Sequence, residues 1–260
     1  MRYDLPVSTV FNYYQPEDPD ASGGQIMEFR LIYQGPLPAE KCEDRGSQGG
    51  TVGRAKEKHQ LRKHFHLQLR ELWRQNPDLK RQAETSFTVI TTPPNMVSYP
   101  GPGVRMIYPS QMGMTGEQQS RAKTWVEHIA DDHKRCGGRF VPLVSELGGF
   151  TCDLNILFLR RDNPGNLVSN GGDIDNRIKV LFDGLRMPKT ERELGGFGID
   201  ADEDPFFCLL EDDTLITRVS VTTDRLIIPQ KDAENVNDVL LVIHVTMVNP
   251  SAVFAGDRLI

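Results

Sequence analysis

Residues 150–161 read FTCDLNILFLRR, and residues 171–185 read GGDIDNRIKVLFDGL. In the first segment apolar and polar residues alternate, which predicts a strand with one buried face. The second segment has helical apolar spacing, which predicts a helix on the core with Asn176 as its N-cap. The apolar positions of that helix are Ile178, Leu181, Phe182 and Leu185.

Further strands and helices are predicted on both sides of this pair. IMEFRLIY at 26–33 and TLITRVSV at 214–221 predict strands, and DVLLVIHVTMV at 238–248 is apolar enough to predict a central strand. A helix is predicted from Val52 to Gln75, and a second one over 116–136. Gly, Pro and Asp content predicts short strands or extended loop at 85–115 and a long loop at 186–210.

Composition and charge limit the class of protein. The chain has 260 residues, 38% of them hydrophobic and 25% charged, which is ordinary for a soluble globular protein. No apolar run approaches the roughly 20 residues that span a bilayer, and the first residues carry no secretory signal. Four scattered cysteines favour reduced thiols in a cytoplasmic protein over disulfides or zinc. A net charge of −6 disfavours a protein that coats nucleic acid, but it permits a site-specific one.

Two aspartates, Asp173 and Asp175, precede the predicted helix, which starts after Asn176. Residues two apart in extended backbone project to the same side, so we expect the two carboxylates to converge. Like charges held together need a cation, which could be the helix N-terminus, Lys179 or a divalent metal ion. Aspartate and asparagine are also common turn and capping residues, so capping alone is an open alternative.

A family resemblance rests on two stretches, DIDNRIKVLFDGL at 173–185 and EDDTLITRVSV at 211–221. They resemble the RusA-like Holliday junction resolvases, whose pattern is D-x-D-N-x-x-K-x-x-x-D-A/G-L followed by D-D leading into a strand. The resemblance covers about 26–75 and 150–248. It implies an α+β fold, a mixed β-sheet with helices packed on it, carrying an inserted helix and loop block at about 80–145. The organisation predicted is an irregular arm at 1–25, one nuclease domain at 26–250 and a tail at 251–260.

The resemblance also implies an active site and a set of partners. The family's catalytic positions fall on Asp173, Asp175, Lys179 and Asp213. The three aspartates are expected to hold Mg²⁺ or Mn²⁺, and Lys179 to stabilise charge at the phosphorus. Asn176, Asp183 and Asp212 match possible supporting positions, although a simple i,i+4 pair between Lys179 and Asp183 is an alternative. The implied activity is Mg²⁺-dependent resolution of four-way DNA junctions by paired symmetric nicks, in recombination and repair, by a homodimer.

Positive charge is concentrated on the 52–75 helix, where only Glu57 and Glu71 oppose many basic residues. Two interpretations are open, a solvated helix face and a surface that follows DNA phosphates. The residues predicted to contact DNA are Arg54, Lys58, Arg62, Lys63, Arg70, Arg160, Arg161 and Arg177.

Three alternative functions are considered. One is a nuclease of the same chemistry acting on flaps or forks, and another is a DNA-binding module that has lost catalysis. The third is a calcium-regulated interaction protein, because Asp200, Asp202, Asp204 and Glu211 occupy calcium-loop positions. Pro205 stands where that loop requires glycine, which disfavours calcium and predicts a flexible acidic loop beside the active site.

Overall fold

The computed structural model describes residues 27–39, 54–84, 86–87, 123–146, 148–161, 174–227 and 238–248. The predicted arm at 1–25, the tail at 251–260, nearly all of the 85–115 stretch and Asp173 lie outside these residues. Within these ranges there are three 3₁₀ turns, at Glu191–Leu194, Ala201–Glu203 and Asp213–Leu215. The helices and strands, in chain order, are β1 (Met27–Pro36), α1 (Ala55–Gln75), α2 (Pro77–Glu84), β2 (Ser86–Phe87), β3 (Lys123–Thr124), α3 (Trp125–Asp132), β4 (Lys134–Arg135), β5 (Gly138–Val144), β6 (Thr151–Arg160), α4 (Ile174–Leu185), β7 (Phe206–Leu210), β8 (Ile216–Arg225) and β9 (Asp238–Val248).

The main sheet has four strands in the spatial order β1-β9-β6-β8. β9 is antiparallel to both of its neighbours, whereas β6 and β8 are parallel, so the sheet is mixed. The α+β class and the central position of β9 are therefore confirmed. Alternate residues of β6 are buried, as its sequence predicts for Cys152, Leu154, Ile156 and Phe158, and Arg160 continues the same buried face.

Helix α1 packs on the core and also closes one edge of the main sheet. Its apolar stripe of Leu61, Phe65, Leu69 and Leu72 is buried. The Gln68 side-chain amide accepts a hydrogen bond from the Ile32 N–H (3.0 Å) and donates one to the Ile32 carbonyl (2.7 Å). A side chain thus satisfies main-chain groups at the outer edge of β1, where a further strand would otherwise pair.

Helix α4 crosses α1 at a glycine. A Cβ on Gly184 would lie 2.7 Å from the Leu61 Cβ, so a larger residue would force the two helices apart. The predicted inward positions Ile178, Leu181 and Leu185 are buried, as expected. The helix begins at Ile174, so the prediction of Asn176 as N-cap is wrong. Asn176 lies inside the first turn, because the helix begins three residues before Arg177, the first helical residue that an N-cap at Asn176 predicts.

A second sheet, β4-β5-β7, was not predicted. β5 and β7 pair in parallel, and all five residues of β7, FFCLL, are buried. The prediction that 186–210 is entirely loop is therefore wrong at its end. An unbroken apolar run is typical of a strand that is covered on both faces.

The stretch 123–145 of the predicted insertion packs into the core. Helix α3 is shorter than predicted and starts with a capping box between Thr124 and Glu127. Ile129 and Ala130 of α3, together with Val141 of β5, are buried in the same cluster as the main-sheet residues. This block is thus packed into the domain and is not a peripheral addition.

Candidate functional site

The start of α4 carries two exposed residues of opposite charge. The side chains of Asp175 and Lys179 are 62% and 60% exposed, and the Lys179 Nζ lies 3.6 Å from the Asp175 Oδ2. Lys179 also reaches the Asn176 Oδ1 at 3.5 Å. Ion pairs this exposed contribute little to stability, so both groups can turn toward a ligand at small cost. An exposed carboxylate at a helix N-terminus is also a suitable hard-oxygen ligand for Mg²⁺.

The start of α4 lies at the C-terminal end of β6. Arg177 is buried and donates a hydrogen bond to the Leu37 carbonyl (3.0 Å). Leu37 directly follows β1, and the last residue of β1, Pro36, pairs with Asp238 at the start of β9. The next residue of β9, Val239, pairs with Arg160 at the C-terminal end of β6. Asp175, two residues before Arg177, therefore belongs to this end of the sheet.

A second acidic pair, Asp212 and Asp213, precedes β8. Asp212 accepts hydrogen bonds from the Thr214 N–H (3.1 Å) and from Lys189, whose Nζ is 2.7 Å away. The same Nζ is 3.7 Å from the Asp213 Oδ1. Partial burial alone would raise the pKa of Asp212, but the Lys189 ammonium and the Thr214 N–H lower it. Lys189 has no distinctive sequence pattern around it, and only the fold brings it to this pair.

The structure does not bring Asp175 and Asp213 together. β8 begins beside Cys152 at the N-terminal end of β6, and Asp213 lies three residues before that start. From Cys152 to Arg160 a strand spans roughly 26 Å, so the two aspartates lie at opposite ends of β6. Within the described residues no group of three or more His, Cys, Asp or Glu side chains could hold a metal ion. In the described residues Asp175 and Asp213 thus belong to different ends of β6, and because Asp173 lies outside these residues the metal site shared by the three aspartates stays a prediction.

Asp183, predicted to support the active site, is instead part of the fold. Its carboxylate is 2.8 Å from the Lys58 Nζ and also pairs with Arg186. Burial alone would raise the pKa of Asp183, but the Lys58 ammonium and the Arg186 guanidinium hold it below its usual range. Lys179 pairs with Asp175 and not with Asp183, so the alternative pairing considered from sequence is not the one observed.

Arg62 extends this ion-pair network to the 191–194 turn. Its side chain is 1% exposed, and it donates to the Arg186 carbonyl (3.0 Å), the Glu193 carbonyl (2.9 Å) and the Glu193 carboxylate (3.1 Å). Arg186 also pairs with Glu193 at 3.0 Å. Because these charges are desolvated, each depends on its partners to remain buried.

Half of the residues predicted to contact DNA are buried. A side chain at most 4% exposed is not open to a phosphate in the described conformation, so a DNA contact by this half would need a rearrangement and stays a prediction. The four residues are Lys58, Arg62, Arg160 and Arg177.

The other four predicted DNA contacts have partners within the chain. Lys63 pairs with Asp200 (2.7 Å) and Glu203 (2.9 Å), and Arg70 donates to the Asp202 carbonyl (3.1 Å). Arg54 donates to the Ala39 carbonyl (3.2 Å) and Arg161 pairs with Asp238 (3.3 Å). Much of the positive charge of α1 thus faces the acidic segment 183–203, a third arrangement that the sequence does not predict.

The segment with calcium-loop spacing is held by cations of the protein itself. Asp200 contacts Lys63, whereas both oxygens of Asp204 accept hydrogen bonds from the Arg139 guanidinium at 2.9–3.1 Å. The segment forms a 3₁₀ turn with a capping box between Asp200 and Glu203. Asp200 and Asp204 form ion pairs with different side chains and do not converge on one point, so the arrangement does not favour a calcium site.

Comparisons with known proteins leave the family resemblance as a prediction. No family model matches the chain, and neither a curated protein nor a solved structure matches it. In the part of the chain that the structure describes, no helix is long and apolar enough to cross a membrane. The resemblance to RusA-like resolvases therefore stands on the motif residues at 173–185 and 211–221.

Proposed function

We propose that this chain is a Mg²⁺-dependent endonuclease acting on branched DNA, with its metal-binding carboxylates at the start of α4. The observation that carries the proposal is the contrast along α4. Asp175 and Lys179 are exposed and weakly paired, whereas Asp183 and Arg186 are held in a network. Charges that stabilise this fold are enclosed, so a motif pair left open to solvent is available for a ligand.

The residues at the start of α4 suit phosphodiester chemistry. Asp173 and Asp175 would hold Mg²⁺ with water completing its shell, and the helix N-terminus would favour their negative charge. Bound Mg²⁺ supplies a water of lowered pKa and neutralises charge on the phosphate oxygens. Lys179 lies one turn after Asp175 on the same helix face, so its ammonium can stabilise charge that develops on the leaving oxygen.

The substrate proposed is the four-way junction, cut by paired symmetric nicks in DNA recombination and repair. This choice rests on the RusA-like resemblance. A four-way junction is close to two-fold symmetric, so a homodimer can address two opposing strands at once. Flaps and forks present the same phosphodiester chemistry and are tested beside the junction.

A second candidate function is a DNA-binding module that has lost catalysis. It is favoured by one observation, that Asp213 lies at the opposite end of β6 from Asp175. If the chemistry needs both aspartates around one ion, the described conformation lacks a complete set of ligands.

The experiment incubates the full chain with labelled junction, flap and duplex DNA in Mg²⁺, Mn²⁺ or EDTA. We expect religatable nicks in the junction with Mg²⁺ and none with EDTA. The variant Asp213→Asn separates the roles of the two acidic pairs, because wild-type cleavage would place Asp213 outside the site. Junction binding without cleavage in either metal would favour the inactive module, and absence of binding would reject both functions.

A further inference from the structure

The two outer edges of the main sheet differ. β1 is closed by Gln68, whereas no strand within the described residues pairs on the outer edge of β8. β8 is ten residues long, and all of them except Ile216 and Thr223 are exposed. Val219 and Val221, on the core-facing side, are 43% and 37% exposed. A long open edge of this kind readily pairs with another strand.

The main chain of β8 has groups directed toward this open edge. The Leu226 N–H donates to the Arg160 carbonyl on β6 at 2.6 Å. The pairing with β6 is regular from Arg218 onward, and successive residues of a strand direct their N–H and C=O groups to opposite sides, so Val219, Val221, Thr223 and Arg225 direct theirs away from β6. These donors and acceptors fit an added antiparallel strand.

The side chains of β8 are complementary to a second copy of β8. On the outer face, a two-fold axis through Val221 and perpendicular to the sheet places Arg218 opposite Asp224 of the second copy, and Asp224 opposite its Arg218. Even-numbered residues occupy the non-hydrogen-bonded positions of this pairing, where opposing side chains approach most closely. Among the described residues neither Arg218 nor Asp224 has an ion-pair partner within the chain. On the other face Val221 meets its own copy and Val219 meets Thr223.

This register is specific. An axis through Ser220 would place Arg218 opposite Thr222 and Asp224 opposite Ile216. An axis through Thr222 would place Asp224 opposite Ser220 and Arg218 opposite Leu226. Of these registers, the one centred on Val221 alone pairs both charges with opposite charges.

We propose that two copies of this chain associate through antiparallel β8 strands about a two-fold axis at Val221, joining two four-stranded sheets into one. The interface belongs to the homodimer of the proposed function, but the argument rests on β8 alone and needs no nuclease activity. An oligomeric-state measurement and a cleavage assay can therefore fail independently.

The experiment measures the mass of the full chain by analytical ultracentrifugation over a range of concentrations. We expect a dimer for the wild type. Arg218→Glu and Asp224→Arg each turn two attractive contacts into repulsive ones, so each should raise the dimer Kd on the order of tenfold to a hundredfold. The control Arg74→Glu reverses a charge that is 74% exposed on α1, and it should leave the Kd unchanged.

Two rescues give the decisive test. Arg218→Glu and Asp224→Arg combined in one chain recreate both pairs with the charges exchanged, so the dimer should return. An equimolar mixture of the two single variants should form a heterodimer, because each contact then joins opposite charges.

Three outcomes would overturn the proposal. A wild type that stays monomeric would show that the edge is covered by another part of the chain or serves another protein. Single variants that dimerise like the wild type, or rescues that fail, would place the dimer interface elsewhere.

Discussion

The two ends of α4 carry similar residues in different surroundings. Asp175 and Lys179 at its first turns are exposed and 3.6 Å apart. Asp183, near its last turn, lies 2.8 Å from the Lys58 Nζ, beside Arg186. The difference comes from α1, which crosses α4 at Gly184 and encloses only that end.

This difference separates charge that stabilises the fold from charge that is available to a ligand. The basic residues of α1 form a phosphate-binding surface only if they remain exposed. In the structure they neutralise an acidic segment more than a hundred residues away, as the contacts of Arg62 with Glu193 and of Lys63 with Asp200 show. Clusters of like charge in a sequence therefore need a test of burial before they indicate nucleic-acid binding.

The largest effect on stability is expected at Asp183. Asp183→Ala removes a carboxylate that neutralises the buried Lys58 and Arg186 side chains. The free energy of unfolding should fall by about 3–5 kcal/mol as a result. Urea unfolding measures the loss. Asp175→Ala, at the exposed end of the same helix, is the matched control and should change stability by less than about 0.5 kcal/mol. Equal losses for the two variants would remove the distinction between the two ends.

The buried face of α1 should also make the protein sensitive to acid. Burial lowers the pKa of His59 and of His66 to about 4. The His66 Nδ1 accepts a hydrogen bond from the Phe207 N–H (2.8 Å), which requires an unprotonated nitrogen.

In the unfolded chain a histidine has a pKa of about 6.5, so between pH 6.5 and pH 4 the unfolded chain binds more protons than the folded protein. The stability contribution of each histidine is therefore complete above about pH 6.5 and is lost as the pH falls toward 4. Each histidine should contribute on the order of 2 kcal/mol to that loss. Denaturant midpoints from pH 7 to pH 4 measure it. His66→Asn keeps an acceptor for Phe207 and should flatten the dependence, and an unchanged slope would show that His66 is not responsible.

A smaller effect is expected at Lys63. Its pairs with Asp200 and Glu203 are partly exposed, so Lys63→Glu should cost about 1–2 kcal/mol through lost attraction and new repulsion. The Kd for junction DNA and its salt dependence should stay at the wild-type values, because the side chain is engaged within the protein. A weaker Kd with a shallower salt slope would restore α1 as a phosphate-binding surface.

Much of the main sheet could be predicted from sequence, whereas the second sheet was missed. β1 and β6 alternate in hydrophobicity and β9 is continuously apolar, and each pattern has a direct physical cause. β7 is continuously apolar like β9, but its five residues stand between two acidic clusters, a context that favours a loop. Ion pairs between α1 and the 183–203 segment could not be predicted, because tertiary packing selects those partners.

The relation between Asp175 and Asp213 shows a different limit of sequence reasoning. Motif spacing fixes how many residues separate the two aspartates, but it does not fix where they lie in space. The parallel pairing of β6 and β8 decides this, because it puts the start of β8 at the start of β6 while α4 begins after the end of β6. The position of Asp175 follows from a separate tertiary contact, the hydrogen bond from Arg177 to the Leu37 carbonyl.

The most direct test of the account is the Mg²⁺-dependent cleavage of labelled four-way junction by Asp175→Asn, with melting temperature and junction Kd measured on the same preparation. The open pair at the start of α4 predicts that cleavage is abolished while melting temperature and Kd match the wild type. Cleavage at the wild-type rate would contradict the account, because the exposed carboxylate would then have no part in the chemistry.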